Sequence, residues 1–336
     1  MGWIRLFGGG KANGEADKAL QGDIDRVAAS VHPKVLLIPG YRKRLRHCVG
    51  VSAAHVDSLV ASLGSGVDLS QAGWRNDAAV RALFARPDDL QQLLSRSEEV
   101  RKLFDQQPEL AQVCVLVGAT AVSKRVLGTA LQGEVVQYEV PQTAVSFTDH
   151  RAPLARPTEA LLREELRLRL LDYLGQQAIK RLITVRTRSE ELRQQRAMLG
   201  ARLRLLQSKG TAADALLSSD APDPDALSQA EAALAENRHE LEAAQSSVAT
   251  LDRMMELVKD VLNHPERSLQ VKPTTLRLNR MNVVVEPGSS ESCDEISLLE
   301  ADFADRPRRV AILGNFPRAE LLPKEDWSRE AQRYLG

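Results

Sequence analysis

The chain has 336 residues, of which 43% are hydrophobic and only 4% aromatic, and Lys plus Arg equals Asp plus Glu at 45 each. That balance excludes a net field that would draw in nucleic acid or acidic lipid from a distance. Cys48, Cys114 and Cys293 lack the spacing of a disulfide framework or a zinc knuckle, so reduced, buried thiols are expected. No run of 18 apolar residues occurs, so no membrane-spanning helix is expected and the chain reads as cytoplasmic.

Residues 1–14 read as a flexible terminus. Trp3, Ile4 and Phe7 flank Arg5 and could dip into a membrane surface, but two turns at most give weak anchorage, and a frayed or locally docked end is the reading preferred. Gly8-Gly9-Gly10-Lys11 lacks the earlier Gly and the Ser or Thr of a phosphate loop; Ala12 follows the Lys, and no nucleotide or other cofactor is expected.

Residues 15–127 are expected to form a helical domain. Leu20, Ile24, Val27 and Val31 share one face, and Leu45, Val49, Ala53, Val56, Leu59 and Val60 recur at helical spacing from Tyr41 to Leu63. Short helices are expected near Pro87 and Ser97, and another from Pro108 through Val113, Leu116, Val117 and Ala121, with Pro108 in its first turn. Arg42, Lys43, Arg44 and Arg46 make a basic patch next to Tyr41, which supports a nucleic-acid- or chromosome-associated alternative. His47, Cys48 and His55 lack a convincing further ligand, so no metal site is expected.

Residues 128–157 alternate as a strand segment. Val136, Tyr138 and Val140 share a face, as do Val145 and Phe147, with Pro141-Gln142 between the two runs. Asp149-His150-Arg151 then offers a carboxylate beside an imidazole, which carries a second alternative, a hydrolase-like enzyme centred on Asp149 and His150. No Ser or Cys nucleophile can be assigned to that pair, and a turn-capping Asp149 is preferred.

Residues 158–263 are expected to fold as an antiparallel coiled-coil hairpin with a tip at 208–225. Ala178, Leu182, Val185, Ser189, Leu192, Arg196, Leu199, Leu203 and Leu206 alternate steps of three and four, as do Leu227, Ala230, Leu234, Asn237, Leu241, Ala244, Val248, Leu251, Met255, Val258 and Leu262. Folded back, Leu199 meets Leu234, Leu192 meets Leu241, and the polar residues Arg196 and Asn237 share a layer. Residues 158–210 carry twelve basic and six acidic side chains, and 222–263 carry three and nine, so the arms have opposite charge. Leu216 and Leu217 at the tip are candidates for docking a partner. Gly175 and Gly200 are expected as weak points or sites of close approach.

Residues 264–322 return to strands. Leu276 and Leu278, then Met281, Val283 and Val285, flank Asn279-Arg280, while Ile296 to Phe303 and Arg309 to Leu313 flank Asp305-Arg306-Pro307. Residues 323–336 are a tail. The expected whole is α+β and predominantly α: a helical N-terminal domain, a small antiparallel β head, and a long hairpin inserted between its strand segments and projecting from it. Adaptor proteins of bacterial efflux systems are similar in that architecture alone, and no residue or function carries over. The function expected is a non-enzymatic scaffold or adaptor whose hairpin contacts a protein partner; homo-oligomerisation is compatible with it, and nucleic acid is not the partner preferred.

Overall fold

Helix α2 (Tyr41–Ala61) falls where the apolar spacing put it, whereas α1 (Gly9–Val31) begins inside the terminus expected to be flexible to residue 14; between them lies Gly40, whose φ of 70° glycine alone adopts freely. The computed structural model describes residues 9–31, 33–132, 135–208, 224–248, 251–286, 289 and 291–324. After α2 come the two-residue strand β1 (Val67–Asp68) and four short helices, α3 (Gln71–Asn76), α4 (Ala78–Leu83), α5 (Pro87–Arg96) and α6 (Glu98–Gln106). Their starts are chemically marked. The Ser70 side chain accepts from the Gly73 amide, Asp77 accepts from those of Ala79 and Val80, and Pro87 opens α5, so amides with no helical partner are satisfied or absent.

The helix expected from Pro108 is instead a strand, β2 (Gln112–Gln132), so the helical stretch ends at Gln106, well before residue 127. Val113, Val115, Val117 and Ala119 are all fully buried on one face, and β-branched side chains at that period fit a pleated surface better than a helix. Strand β3 (Val135–Arg156) also departs from expectation: Pro141-Gln142 does not separate two strands but lies within one, opposite Leu127 and Val126. As β3 is at the edge of the sheet, a missing amide hydrogen is tolerated there.

Helices α7 (Glu159–Ser208), α8 (Pro224–Val248) and α9 (Leu251–Asn263) separate β3 from β4 (Leu269–Leu278), β5 (Asp294–Phe303) and β6 (Arg309–Pro317). Both strand sets join in one curled, half-barrel sheet of order β3-β2-β6-β5-β4, antiparallel apart from β1, which lies parallel to β6. Met281 to Val285 do not form the strand expected. They span the gap between the two edge strands: Val284 donates to the Thr143 carbonyl at 2.8 Å and Val285 to that of Arg277 at 2.9 Å, while Val145 donates to Asn282 at 2.8 Å.

The chain divides into two compact units, Met1–Ala53 with Leu171–Pro265, and Ala54–Leu170 with Glu266–Gly336. Within the second, the sheet unit, one face of the sheet packs Val115, Val117, Ile296, Leu298, Ile312 and Phe316 with Leu83, Leu90, Leu94 and Phe104 of α4–α6. The other face packs Cys114, Leu154, Leu299 and Leu313 with Leu63 and Leu162. Each such side chain contributes roughly 1.5 to 3 kcal/mol. Arg318 stacks on the Phe104 ring at 4.5 Å and donates to the carbonyls of Phe104, Gln107 and Leu110 at 2.6 to 2.8 Å, closing the open end of α6. Beyond Ala119, β2 leaves β6 and continues with β3 alone as a two-stranded ribbon on which Leu127 and Tyr138 are exposed.

Within the first, the helical unit, Ile24, Val27, Leu45, Val49, Leu171, Leu174, Ala178, Met255, Val258 and Leu262 are buried. The Ser52 hydroxyl donates to the Leu262 carbonyl at 2.7 Å, meeting an open carbonyl in the last turn of α9. Arg26 holds Asp172 through two bonds of 2.6 and 2.7 Å. Gly175 is a site of close approach, because a Cβ there would lie 1.9 Å from Ser30 Oγ; at Gly200 a Cβ would meet nothing within 4 Å.

Candidate functional site

The seam residues named from the sequence divide by exposure. On α7, Ser189 and Leu192 are buried, Leu199 is half-buried and Arg196 is exposed; on α8, Ala230, Asn237 and Leu241 are buried and Leu234 is half-buried. Polar contacts join the helices here. Arg188 reaches Glu240 at 2.9 Å, and Asn237 Nδ2 lies 3.5 Å from Gln195 Oε1. It is therefore Gln195, one residue before Arg196, that meets Asn237. Asn237 is only 6% exposed, and its Oδ1 has no hydrogen-bond partner, which costs roughly 1 to 3 kcal/mol in a buried setting.

Beside this layer runs an open groove of about 490 Å³. Arg188, Met198 and Arg202 line it from α7, and Glu236, Asn237 and Glu240 from α8. Met198 is 66% exposed. Sequence reasoning missed this groove, although its signal was present: Arg188, Met198 and Arg202 flank the Leu192–Leu199 stripe, where a two-helix seam normally carries polar side chains. The tip leucines Leu216 and Leu217 lie outside the described residues, as do Trp3, Ile4 and Phe7.

Asp149 and His150 do not act on one another. Asp149 has φ 50° where the pairing of β2 with β3 shifts register, so the backbone there is bent and the two side chains part. Its carboxylate is bonded by Arg151 and by Arg309, and these guanidiniums hold its pKa below the usual carboxylate value. His150 Nε2 lies 2.7 Å from the Leu83 carbonyl, and its ring rests on Phe84 with centroids 4.6 Å apart. It does line a cavity, of about 720 Å³, with Phe84, Asp89, Leu93, Phe147 and Met281 among the walls. Asp149 is not among that lining; Asp89 is, and its carboxylate accepts from Arg86 at 2.8 Å, with His150 adding a weaker electrostatic pull. Among the described residues the hydrogen bond of the imidazole is to the Leu83 carbonyl, not to a carboxylate.

The basic patch is neutralised locally. Arg42 forms a two-bond pair with Asp25, which also accepts from Tyr41 at 2.7 Å; Arg44 reaches Asp252 at 2.6 Å and Arg46 pairs with Asp17. Arg42, then Tyr41, lowers the Asp25 pKa. Lys43 is exposed. A patch whose arginines already hold carboxylates releases few counterions on meeting a phosphate backbone.

His47 is exposed, Cys48 is buried, and His55 Nε2 contacts the Leu269 carbonyl at 2.9 Å. Burial pushes the Cys48 and Cys114 thiols up to about 11 each, so both stay protonated at neutral pH. Among the described residues no group of three His, Cys, Asp or Glu side chains could hold a metal ion, and no helix is long and apolar enough to cross a membrane. No family model, no curated protein and no solved structure matches this chain.

Proposed function

We propose that the chain is a non-enzymatic, cytoplasmic scaffold or adaptor in which α7 and α8 pair as an antiparallel coiled-coil hairpin that presents a protein-binding surface. The observation carrying this reading is the layer at Asn237. Contacts advance along α7 from Arg188 to Gln195 while they retreat along α8 from Glu240 to Asn237, the order expected of helices running in opposite directions. Burial of Leu192, Ala230 and Leu241 at seam positions supports the same pairing. The opposite charges of the two arms select orientation more than they add stability, since exposed pairs contribute about 0 to 1 kcal/mol each. The dispersed Asp149 and His150, and the internally paired Arg42, Arg44 and Arg46, favour this reading over a hydrolase or a nucleic-acid binder.

Spin labels on Arg196→Cys and Arg238→Cys, in a Cys293→Ser background, test the pairing. Both sites are exposed and face nearly the same layer, so helices in contact at about 10 Å between axes give label separations of roughly 10 to 20 Å. Separations of several tens of ångströms within one molecule would refute it.

A further inference from the structure

We infer that the α7–α8 groove is a self-association surface whose occupant is a second copy of this chain. This rests on the hairpin reading above and names its partner. The two walls of the groove carry opposite charge: Arg188 on α7 already holds Glu240 on α8 at 2.9 Å, which leaves Arg202 on α7 and Glu236 on α8 to meet a partner. A two-fold arrangement lays the basic wall of each copy on the acidic wall of the other, so one patch serves both subunits and every ion pair occurs twice. A partner carrying one sign of charge, such as a nucleic acid, would meet repulsion along half of the groove.

Two further observations place an occupant there. Met198 is 66% exposed and Leu205, one heptad later, 64% exposed, so the apolar stripe of α7 is wider than a two-helix seam uses and extends to the groove side. Asn237 is more than nine-tenths buried, lines the groove, and has an Oδ1 without a donor. That oxygen is already enclosed, so α7 of a second copy covers Met198 and the groove rim beside it without bonding it. A buried Asn in such a layer also fixes register and subunit number.

Sedimentation velocity on the full chain tests this. The expected result is a concentration-dependent dimer that dissociates as salt rises, because the pairing charges lie near the surface. Arg202→Glu and Glu236→Arg should each weaken the dimer by at least about tenfold, with far-UV circular dichroism unchanged. An equimolar mixture of the two variants should restore association, since the two reversed positions then face each other with opposite charge, and the two unreversed positions keep their original pairing. A wild-type chain that stays monomeric at high micromolar concentration, or a dimer indifferent to both variants, would overturn the inference. The intrachain label distance, measured with labelled chain diluted into excess unlabelled chain, separates the two levels of argument. A short distance with a monomeric mass removes the dimer alone, whereas a long distance removes the hairpin beneath it as well.

Discussion

The sheet unit and the helical unit bury their side chains in different ways. In the sheet unit Phe104 and Phe316, with ring centroids 6.5 Å apart, are surrounded by strands on one side and α4–α6 on the other. Along α7 and α8 the fully covered positions come one per turn or fewer, Leu192 on α7 and Leu241 on α8 among them, while Arg196 is exposed and Leu234 half-exposed. A core covered from two sides tolerates little change, whereas a narrow seam can exchange one helical partner for another at modest cost. The first kind of packing holds a shape, and the second leaves a surface.

That contrast can be broken most directly at Phe316. Phe316→Ala should cost about 3 to 5 kcal/mol, because the void lies between rigid layers that cannot collapse into it. Urea unfolding followed by circular dichroism measures the loss, and a cost below about 1 kcal/mol would mean the core is far looser than described. Leu192→Ala comes next, at about 2 kcal/mol, since a buried residue flanked by exposed ones leaves a void that its surroundings can partly close. Its amide-exchange effect should be confined to α7 and α8. Asn237→Leu should go the other way and raise the melting temperature by a few degrees, as it removes a buried oxygen that lacks a donor. The same change should loosen register, read as extra cross-linked species; a lower melting temperature with an unchanged cross-linking pattern would count against the specificity role.

The smallest effect is acid sensitivity. Arginines hold Asp89, Asp149, Glu159 and Glu165 of the sheet unit below their ordinary pKa values, through Arg86, Arg151, Arg163 and Arg169 first in each case, while Asp25 is the corresponding group of the helical unit. A folded pKa below the unfolded one, about 3.9 to 4.3 for carboxylates, gives stabilisation that is present above the unfolded value and disappears as pH falls through the folded one. Amide exchange followed from pH 6 down to pH 3 should show the sheet unit loosening first. Loosening in the reverse order would mean that apolar packing, not these pairs, sets acid stability.

Much of this architecture was legible because helical spacing survives where one face is wet. Ile24, Val27 and Val31, or Leu192 and Leu199, announce a helix by what lies between them. Val113 to Val117 gave no such sign: both faces of β2 are covered, by Phe316 and its neighbours on one side and by Leu154 and Leu162 on the other, so the alternation that marks a half-buried strand is missing. Pro108, standing where a helix could start, then tipped the reading the wrong way. Pro141 misled for the opposite reason, since only a sheet's edge admits it and edge position is not written locally. At the candidate site the leucine stripe was readable, but the outward turn of Arg196 and the meeting of Gln195 with Asn237 depend on a few tens of degrees of helix rotation, which a sequence pattern does not fix.

The order of strands in the sheet also sets a delay for the growing chain. Gln112 pairs with Pro317, about 200 residues further on, and translation at roughly 5 to 20 residues per second needs about 10 to 40 s to supply that partner. Through that interval β2 can zip only with β3, leaving its valine-rich flank open at the ribosome. Synthesis of the intervening helices is thus a waiting period in which a nascent-chain chaperone, or an accidental neighbour, has first access to that flank.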